Sequence, residues 1–384
     1  MAKFVNLTAG DPAPYFSQRS LGNPRYAFDT AAGRYIVLCF FVTASDPHAQ
    51  QAITAALARP DLFNDEKASF FGVTLDARDE TEKRVTDKYP GYRFICDFDA
   101  SVARLYGAAP MDAPIGSVSL QTHQLWCVLD PTLRTLQTFH FEDDAADISK
   151  VLTFVESLPP PRRFAGFELQ APILVLPNVF EPEFCRKLIS LYEKHGGTES
   201  GFMREVGGKT VTVHDHAHKR RKDYDIEDEQ LKTDIQNRFI RRVVPEIQKV
   251  HQYKVTRMER YIVSCYAAED EAHFRAHRDN TTKGTAHRRF AVSVNLNNDF
   301  DGGEVSFPEY GPRSFKAPPG GAVVFSCSLL HAVSKVTRGR RFAFLPFLYD
   351  DEAAKLREAN NAFLDESVGA YKSSLSVGSG ETST

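Results

Sequence analysis

The 384-residue sequence has no apolar run long enough to cross a membrane, and its first residues lack the basic and apolar segments of a secretion signal. Its six cysteines are widely scattered and form no Cys-x-x-Cys pair, which indicates reduced, buried thiols. A net charge of −3 provides no broad basic surface for nucleic acid or for an anionic membrane. We therefore expect a cytoplasmic protein that binds neither nucleic acid nor membranes.

The composition is that of an ordinary globular protein, with 42% hydrophobic and 25% charged residues, and the length allows two domains. The Leu-Pro-Pro-Pro run at 158–161 predicts a stiff polyproline-type joint, and the composition changes across it. We therefore predict a first domain over 1–158, a linker over 159–170, a second domain over 171–366 and a disordered polar tail over 367–384.

The second domain contains one His-x-Asp motif, His277-Arg278-Asp279, shortly after the apolar run 261–266. Side chains two positions apart on a strand point to the same face, so this imidazole and this carboxylate can converge on one point. His331, at the end of a separate apolar run, supplies a third ligand. Two imidazoles and one carboxylate on one side of a metal, with the other positions open, match the facial geometry of non-haem Fe(II) sites.

Each of these residues also has an ordinary structural interpretation. The histidines can belong to a core or to a surface, Asp279 can belong to a turn, and Arg341 can be a solvated charge in the basic run 338–341. The metal site is favoured by the order of the residues among β-rich runs that Gly and Pro interrupt, as at 301–304 and 318–321. These turns predict a sheet that doubles back on itself.

With His277, Asp279, His331 and Arg341 in this order, residues 171–350 resemble the double-stranded β-helix (jelly roll) of the 2-oxoglutarate- and Fe(II)-dependent oxygenases, closest to the prolyl 4-hydroxylase-like group. The resemblance implies that the two histidines and the aspartate bind Fe(II). It also implies that the arginine binds the distal carboxylate of 2-oxoglutarate, which its planar guanidinium matches. Oxygen is then the other co-substrate, and ascorbate is a further expected cofactor.

Arg341 rather than Arg340 is predicted to bind this carboxylate, because successive side chains of a strand point to opposite faces and that of Arg341 points inward. Ala343 and Leu345 share that parity. Tyr266 resembles the tyrosine that bonds the co-substrate carboxylate in this family, and a core aromatic is the equal alternative. Leu345 stands where the family often has a Thr or Ser, so the resemblance implies no second side-chain contact to the carboxylate from this position.

By this resemblance the chain is a dioxygenase that hydroxylates a C–H bond and decarboxylates 2-oxoglutarate to succinate. The substrate is a prolyl residue of a protein, a free amino acid or another small molecule, and the sequence does not separate these. Two other classes of function stay open. One is a non-catalytic scaffold with a decayed iron site, and the other is a thiol peroxidase with an appended domain.

The first domain alternates short apolar runs with helical patterns, which predicts an α/β layer fold. It resembles the peroxiredoxin branch of the thioredoxin fold in the segments 9–14, 72–76, 96–99, 105–107 and 128–131. Strands are predicted over 35–41, 70–75 and 125–129, and helices over 47–58, 81–88, 100–106 and 145–158.

This resemblance fails at the residue on which peroxidase chemistry depends. A peroxiredoxin places its peroxidatic cysteine at the head of the helix after the strand 35–41, where the helix dipole lowers the thiol pKa. Ala49 stands at about that position here, while Cys39 lies within the strand and Cys96 before a turn. We therefore expect a peroxidase-inactive module that serves docking, substrate presentation or homodimer formation.

The polar segment 202–224 contains alternating histidines from His214 to His218, followed by the basic run 219–222. Its lack of periodicity predicts an exposed loop, which we expect to cover the active-site mouth. Metal binding by the histidines and phosphate binding by the basic run are the alternatives. Around it we predict a strand over 173–177, helices over 182–195 and 228–244, and a closing helix over 351–363.

Overall fold

The computed structural model describes residues 3–112, 122–366 and 368–371, so the predicted tail lies largely outside the described residues. The chain divides into two compact units: an N-terminal unit of Met1–Ala171 with Pro308–Arg313, and a C-terminal unit of Pro172–Phe307 with Ser314–Thr384. At the predicted polyproline joint, Pro161–Arg163 form a short 3-10 helix instead. Within the described residues, no helix has the length and apolar character needed to span a membrane.

The strands of the N-terminal unit are β1 (Ser17–Ser20), β2 (Asn23–Ala27), β3 (Tyr35–Phe41), β4 (Ala68–Thr74), β5 (Tyr92–Cys96), β6 (Leu125–Leu129) and β7 (Thr135–His140). Its helices are α1 (Pro47–Leu57), α2 (Arg78–Thr81), α3 (Ser101–Leu105) and α4 (Ala146–Ser157). The strands form one sheet in the order β2-β1-β5-β4-β3-β6-β7, in which β3, β4 and β5 are parallel. This confirms the predicted thioredoxin-like α/β fold.

Local chemistry explains where the N-terminal helices begin and end. The Asp46 carboxylate caps α1 by accepting the amide hydrogens of His48 and Ala49, both at 3.0 Å. The predicted helix over 81–88 is wrong, because α2 ends at Thr81. The buried Asp79 carboxylate accepts the amide hydrogen of Ala44 at 2.8 Å and so holds this segment to a distant loop.

The C-terminal unit consists mainly of short antiparallel strands. These are β8 (Leu174–Leu176), β9 (Thr198–Glu199), β10 (Phe202–Val206), β11 (Lys209–Val213), β12 (Lys219–Arg220), β13 (Lys222–Asp225), β14 (Arg257–Glu259), β15 (Ile262–Ala267), β16 (His273–His277), β17 (Phe290–Asn295), β18 (Val305–Ser306), β19 (Ser314–Phe315), β20 (Ala322–Ser326), β21 (His331–Val333), β22 (Arg340–Phe344) and β23 (Phe347–Tyr349). Its helices are α5 (Pro182–His195), α6 (Glu229–Arg242), α7 (Val244–His251) and α8 (Asp351–Ala359).

These strands form a larger and a smaller sheet. The larger follows the order β14-β23-β17-β22-β15-β13-β9, with β20 and β8 added beside β17, and the smaller follows β12-β16-β21-β18-β19. The helices α5 and α6 pack on the larger sheet, where Phe184, Leu188 and Phe239 share one apolar core with Val263 and Phe344. The arrangement is the predicted double-stranded β-helix with flanking helices, and this fold class is confirmed.

The segment 202–224 is not the exposed loop that its polarity predicts. It contains the hairpin β10–β11, the strand β12 and most of β13. Lys219, Arg221 and Asp223 are buried, whereas Lys222 between them is exposed. The strands β12 and β13 pair with β16 and β15 respectively, so this segment runs from the smaller sheet to the larger one.

Candidate metal centre

Two strands of the smaller sheet bring the predicted ligands together. His277 ends β16, His331 begins β21, and the two histidines lie directly opposite each other in this antiparallel pair. Asp279 follows β16, and its amide donates to the Cys327 carbonyl at 2.9 Å. As a result His277, Asp279 and His331 each offer one ligand atom within 4.8 Å of the others. The Nε2 atoms of His277 and His331 are 3.6 and 3.4 Å from the Asp279 carboxylate.

Both imidazoles are held in the tautomer that a metal requires. Nδ1 of His277 donates to the Arg275 carbonyl at 2.7 Å, and Nδ1 of His331 donates to the Leu329 carbonyl at 3.0 Å. Each ring therefore directs the lone pair of Nε2 toward the cluster. Nε2 of His277 is buried and, within the described residues, has no hydrogen-bond partner. Because buried polar atoms rarely lack a partner, this atom fits a metal ligand.

The charge states of the cluster suit the same interpretation. Burial, with a smaller effect of His331, lowers the pKa of His277 to about 4. Burial alone would raise the pKa of the Asp279 carboxyl, but His331 and His277 outweigh it and hold that pKa below its usual range. At neutral pH His277 is therefore neutral and Asp279 ionised, the forms that bind metals. Two imidazoles and one carboxylate fit Fe(II) with positions left open.

Apolar rings surround the two imidazoles. The Phe274 ring is stacked on the His277 ring, with 3.5 Å between their centroids. The Phe325 ring lies 4.6 Å from the His331 ring. These contacts fix the orientation of the imidazoles and exclude water from their flanks, which strengthens electrostatic interactions at the centre.

Arg341 is buried at 1% exposure, whereas Arg340 is exposed, as strand parity predicts. The guanidinium of Arg341 donates from Nε to Asn295 Oδ1 at 3.0 Å and from Nη2 to Ser293 Oγ at 2.6 Å. Its Nη1 is buried and, among the described residues, has no acceptor. Burial lowers the pKa of Arg341. A buried guanidinium whose hydrogen bonds all go to neutral side chains is ready to receive an anion.

Tyr266 lies beside this guanidinium, and sequence reasoning missed the residues that hold it there. Arg221 donates from Nη1 to the Tyr266 hydroxyl at 3.3 Å and from Nη2 to Asp223 at 2.6 Å. Asp223 also accepts the Ser264 hydroxyl at 2.6 Å. The available signal was the spacing of two between the charged residues Lys219, Arg221 and Asp223, which is the period of a strand.

Of the three histidines at 214–218, His218 is the one with a ring contact to a predicted ligand. His216 contacts Glu199 at 2.5 Å near the surface. Among the described residues, His277, Asp279 and His331 are the only cluster compact enough for a metal, so these histidines do not form another. The half-buried His218 ring, in contrast, lies 6.4 Å from the His277 ring.

In the N-terminal unit, Ala49 is fully buried in the first turn of α1. All six cysteines are free and buried. Burial raises the pKa of the Cys39 thiol well above its usual value and that of Cys96 to about 11. Thiols in this state are almost entirely protonated at neutral pH and react poorly with peroxide.

A two-histidine, one-carboxylate centre inside a double-stranded β-helix defines the class of non-haem iron oxygenases. Comparison with known families agrees: residues 261–349 match the 2OG-Fe(II) oxygenase superfamily, and residues 9–132 match the AhpC/TSA family. The chain thus joins a segment that matches the AhpC/TSA family to a segment that matches the 2OG-Fe(II) oxygenase superfamily.

Individual relatives cover only parts of the chain. A PKHD-type hydroxylase of Paracoccus denitrificans is 43% identical over 79 residues, which is 18% of this chain and 35% of the relative, so the chain spans about a third of that protein. A Trichoplax adhaerens prolyl hydroxylase structure is 16% identical over 48% of this chain and 86% of its own, with a TM-score of 0.38. The Xanthomonas campestris bacterioferritin comigratory protein is 17% identical over 39% of this chain and 98% of its own, with a TM-score of 0.32.

Proposed function

We propose that the chain is an Fe(II)- and 2-oxoglutarate-dependent dioxygenase that hydroxylates a C–H bond of its substrate and releases succinate. The observation that carries this proposal is the convergence of His277, Asp279 and His331, with an orphaned imidazole nitrogen at their centre. Arg341 adds a buried cation with an unused donor. The superfamily match at 261–349 includes all four residues.

Each residue has a definite task in this chemistry. Bound Fe(II) supplies the activation of oxygen that no side chain provides. His277 and His331 present their Nε2 lone pairs, and Asp279 offsets one positive charge of the ion. Arg341 directs its free Nη1 to the distal carboxylate of 2-oxoglutarate and so orients this co-substrate. Because the phenol oxygen of Tyr266 accepts from Arg221, its own hydrogen is available for the same carboxylate.

A prolyl residue of a protein is one candidate substrate, as the resemblance to the prolyl 4-hydroxylase-like group implies. A free amino acid or another small molecule is the alternative. Ascorbate as a reductant and a cytoplasmic location belong to the same proposal, and the latter is supported by the free cysteines.

The N-terminal unit is proposed to be a peroxidase-inactive module for docking or homodimer formation. Ala49 at the head of α1 and the buried, protonated state of Cys39 support the loss of peroxidase chemistry. Sedimentation of the full chain tests for the dimer, and we expect a molecular mass twice that of one chain. A monomer at all concentrations would contradict it.

Anaerobic titration of the purified full chain with Fe(II) and then 2-oxoglutarate tests the oxygenase proposal. We expect one Fe(II) per chain, a charge-transfer absorbance only when both are present, and succinate formation after oxygen is admitted. Asp279→Ala should lose all three, while His273→Ala, on the same strand but outside the cluster, should keep them. Equal iron binding by wild type and Asp279→Ala would overturn the proposal.

A further inference from the structure

Buried charges in the C-terminal unit are mostly paired. Glu259 contacts Arg288 and Arg357, both at 2.8 Å. Asp223 contacts Arg221 at 2.6 Å. In each case a carboxylate meets at least one guanidinium at ion-pair distance, as expected where desolvated charge must be neutralised.

Within the described part of this unit, Lys219 and Arg341 remain as buried cations whose hydrogen bonds go only to neutral groups. Lys219 is 4% exposed, and its Nζ donates to Ser200 Oγ at 2.8 Å and to the Gly201 carbonyl at 2.5 Å. The distal carboxylate of 2-oxoglutarate offsets Arg341 in the proposed function. Asp223 and Asp279 lie near enough to favour the charged form of Lys219, but neither carboxylate is hydrogen-bonded to its Nζ.

Lys219 lies close to the metal centre. It is opposite Phe274 across the β12–β16 pair, and its Nζ is 5.0 Å from the centre of the Phe274 ring. The same ring is stacked on His277. One aromatic ring therefore contacts both the Nζ of Lys219 and a proposed metal ligand, which places Lys219 next to the proposed metal centre.

Arg221 belongs to the same cluster. The Ser200 hydroxyl lies 2.8 Å from Nζ of Lys219 and 3.1 Å from Nη2 of Arg221, and so bridges the two cations. The Arg221 side chain is only 4% exposed, and its Nε is buried without a partner among the described residues. A buried guanidinium donor without an acceptor, beside a lysine Nζ that bonds only to neutral groups, leaves donors available for an anion.

The surroundings of this cluster suit a small organic acid. Phe202, His218 and Phe274 are half-buried and pack together, with His218 4.5 Å from Phe202 and 5.5 Å from Phe274 between ring centroids. Burial, and then Arg221, lower the pKa of Lys219 well below its usual value. An arriving carboxylate would favour the ammonium form and so strengthen its own binding.

We propose that Lys219 and Arg221 form a second anion site beside the metal centre, and that the substrate is a carboxylic acid whose carboxylate binds there while the C–H bond to be hydroxylated faces the metal. This inference rests on the proposed oxygenase function and assigns it a substrate class. A free amino acid and an acidic side chain in a peptide share this chemistry, and the free acid matches the enclosed position of Lys219.

Thermal unfolding of the full chain, loaded with Mn(II) in place of Fe(II) and with 2-oxoglutarate, tests the inference. The probes are the proteinogenic L-amino acids, the carboxamide of each, and dipeptides with amidated C-termini that contain Asp or Glu. We expect one or more free acids to raise the unfolding temperature while their carboxamides do not. Stabilisation by the acidic dipeptides instead would show that the carboxylate comes from a peptide side chain and would overturn the choice of a free acid.

Variants identify the binding residue. Lys219→Met should weaken binding of the selected acid by about tenfold or more without changing the affinity for 2-oxoglutarate. Lys219→Arg should restore part of that binding. Lys222→Met is the matched control, because Lys222 is exposed and pairs with Asp270. The stabilisation by Mn(II) and 2-oxoglutarate alone reports that each variant is folded.

The two proposals fail in different ways in this assay. If Mn(II) and 2-oxoglutarate do not stabilise the wild type, the oxygenase proposal is wrong. If they do, but no acid is distinguished from its carboxamide, or Lys219→Met binds the acid as the wild type does, then the second anion site alone is overturned.

Discussion

Tyr266 and Arg341 lie directly opposite each other on β15 and β22, with Cζ of Arg341 5.2 Å from the centre of the tyrosine ring. Arg221 is bonded to the hydroxyl of the same tyrosine and to Asp223. One tyrosine thus connects the proposed 2-oxoglutarate site with the buried ion pair between Arg221 and Asp223, at the start of β13. Changes in that ion pair are therefore expected to affect co-substrate binding as well as stability.

Arg341→Ala should raise the apparent KM for 2-oxoglutarate by about 30-fold or more and leave iron binding nearly unchanged. Removal of one partner from a desolvated ion pair costs about 2–5 kcal/mol, and the arginine does not belong to the metal cluster. Arg341→Lys keeps the charge but loses the planar fork, so it should fall between wild type and Arg341→Ala. Succinate production at varied 2-oxoglutarate measures the effect.

Arg340→Ala provides the control for this prediction, because Arg340 is exposed and contacts Glu193 at 3.3 Å on the surface. Its KM should stay within about twofold of wild type, as exposed ion pairs contribute little. A severe effect of Arg340→Ala with a mild effect of Arg341→Ala would show that the co-substrate binds elsewhere.

His277→Ala and His331→Ala should each abolish 2-oxoglutarate turnover, because either change removes one of the two proposed imidazole ligands. Iron content per chain, determined after desalting, should fall together with activity. Full activity in either variant would remove that histidine from the ligand set.

Asp223→Asn should lower the free energy of unfolding by about 3–5 kcal/mol, because it leaves the Arg221 guanidinium buried without a counter-charge. Asp225→Asn is the matched control, since Asp225 lies on the same strand and is exposed. Urea unfolding followed by circular dichroism measures both. Equal stability of the two variants would show that the ion pair contributes nothing.

The effect of Asp223→Asn should also depend on pH. Burial would raise the pKa of Asp223, but Arg221 and Arg260 outweigh it and hold the pKa below that of an ordinary carboxyl. With a folded-state pKa below the unfolded value of about 3.9, the stabilisation is present above about pH 4 and is lost as the pH falls below it. The stability difference between wild type and variant should therefore be constant near neutrality and shrink in acid.

Ala49→Cys should not restore peroxidase activity. The new thiol would be buried in the first turn of α1, where the Asp46 carboxylate accepts the amide hydrogens of residues 48 and 49. Burial and a neighbouring negative charge both raise a thiol pKa. The double variant Asp46→Thr with Ala49→Cys keeps a capping hydroxyl and removes the charge, so its thiol should be alkylated faster at neutral pH. Peroxide consumption by Ala49→Cys alone would contradict this account.

Strands and helices marked by an apolar run or an apolar repeat were predictable from the sequence to within a residue or two. The strands Tyr35–Phe41 and Leu125–Leu129 are continuous apolar runs, and the structure has them at the predicted bounds. The helix Pro182–His195 also has its predicted bounds, because Pro begins it and Gly196 follows its end. The convergence of His277 with His331 was predictable only through the resemblance, since no local pattern indicates which strands pair.

The segment 202–224 was wrongly predicted because its strands bury charge in place of apolar side chains. Lys219, Arg221 and Asp223 acquire partners from strands distant in sequence, such as Ser264 on β15. A hydropathy pattern assigns such residues to the surface, since the hydrogen bonds and ion pairs that make their burial possible appear only in the folded chain.

The hydrogen bonds that select the tautomers of His277 and His331 have an evolutionary consequence. Each acceptor is a main-chain carbonyl two residues earlier, at Arg275 and at Leu329. Exchange of either of those side chains leaves the carbonyl where it is. Side chains around the motif can therefore change in evolution, and substrate choice can change with them. Both imidazoles would still keep the tautomer that leaves Nε2 free for a metal.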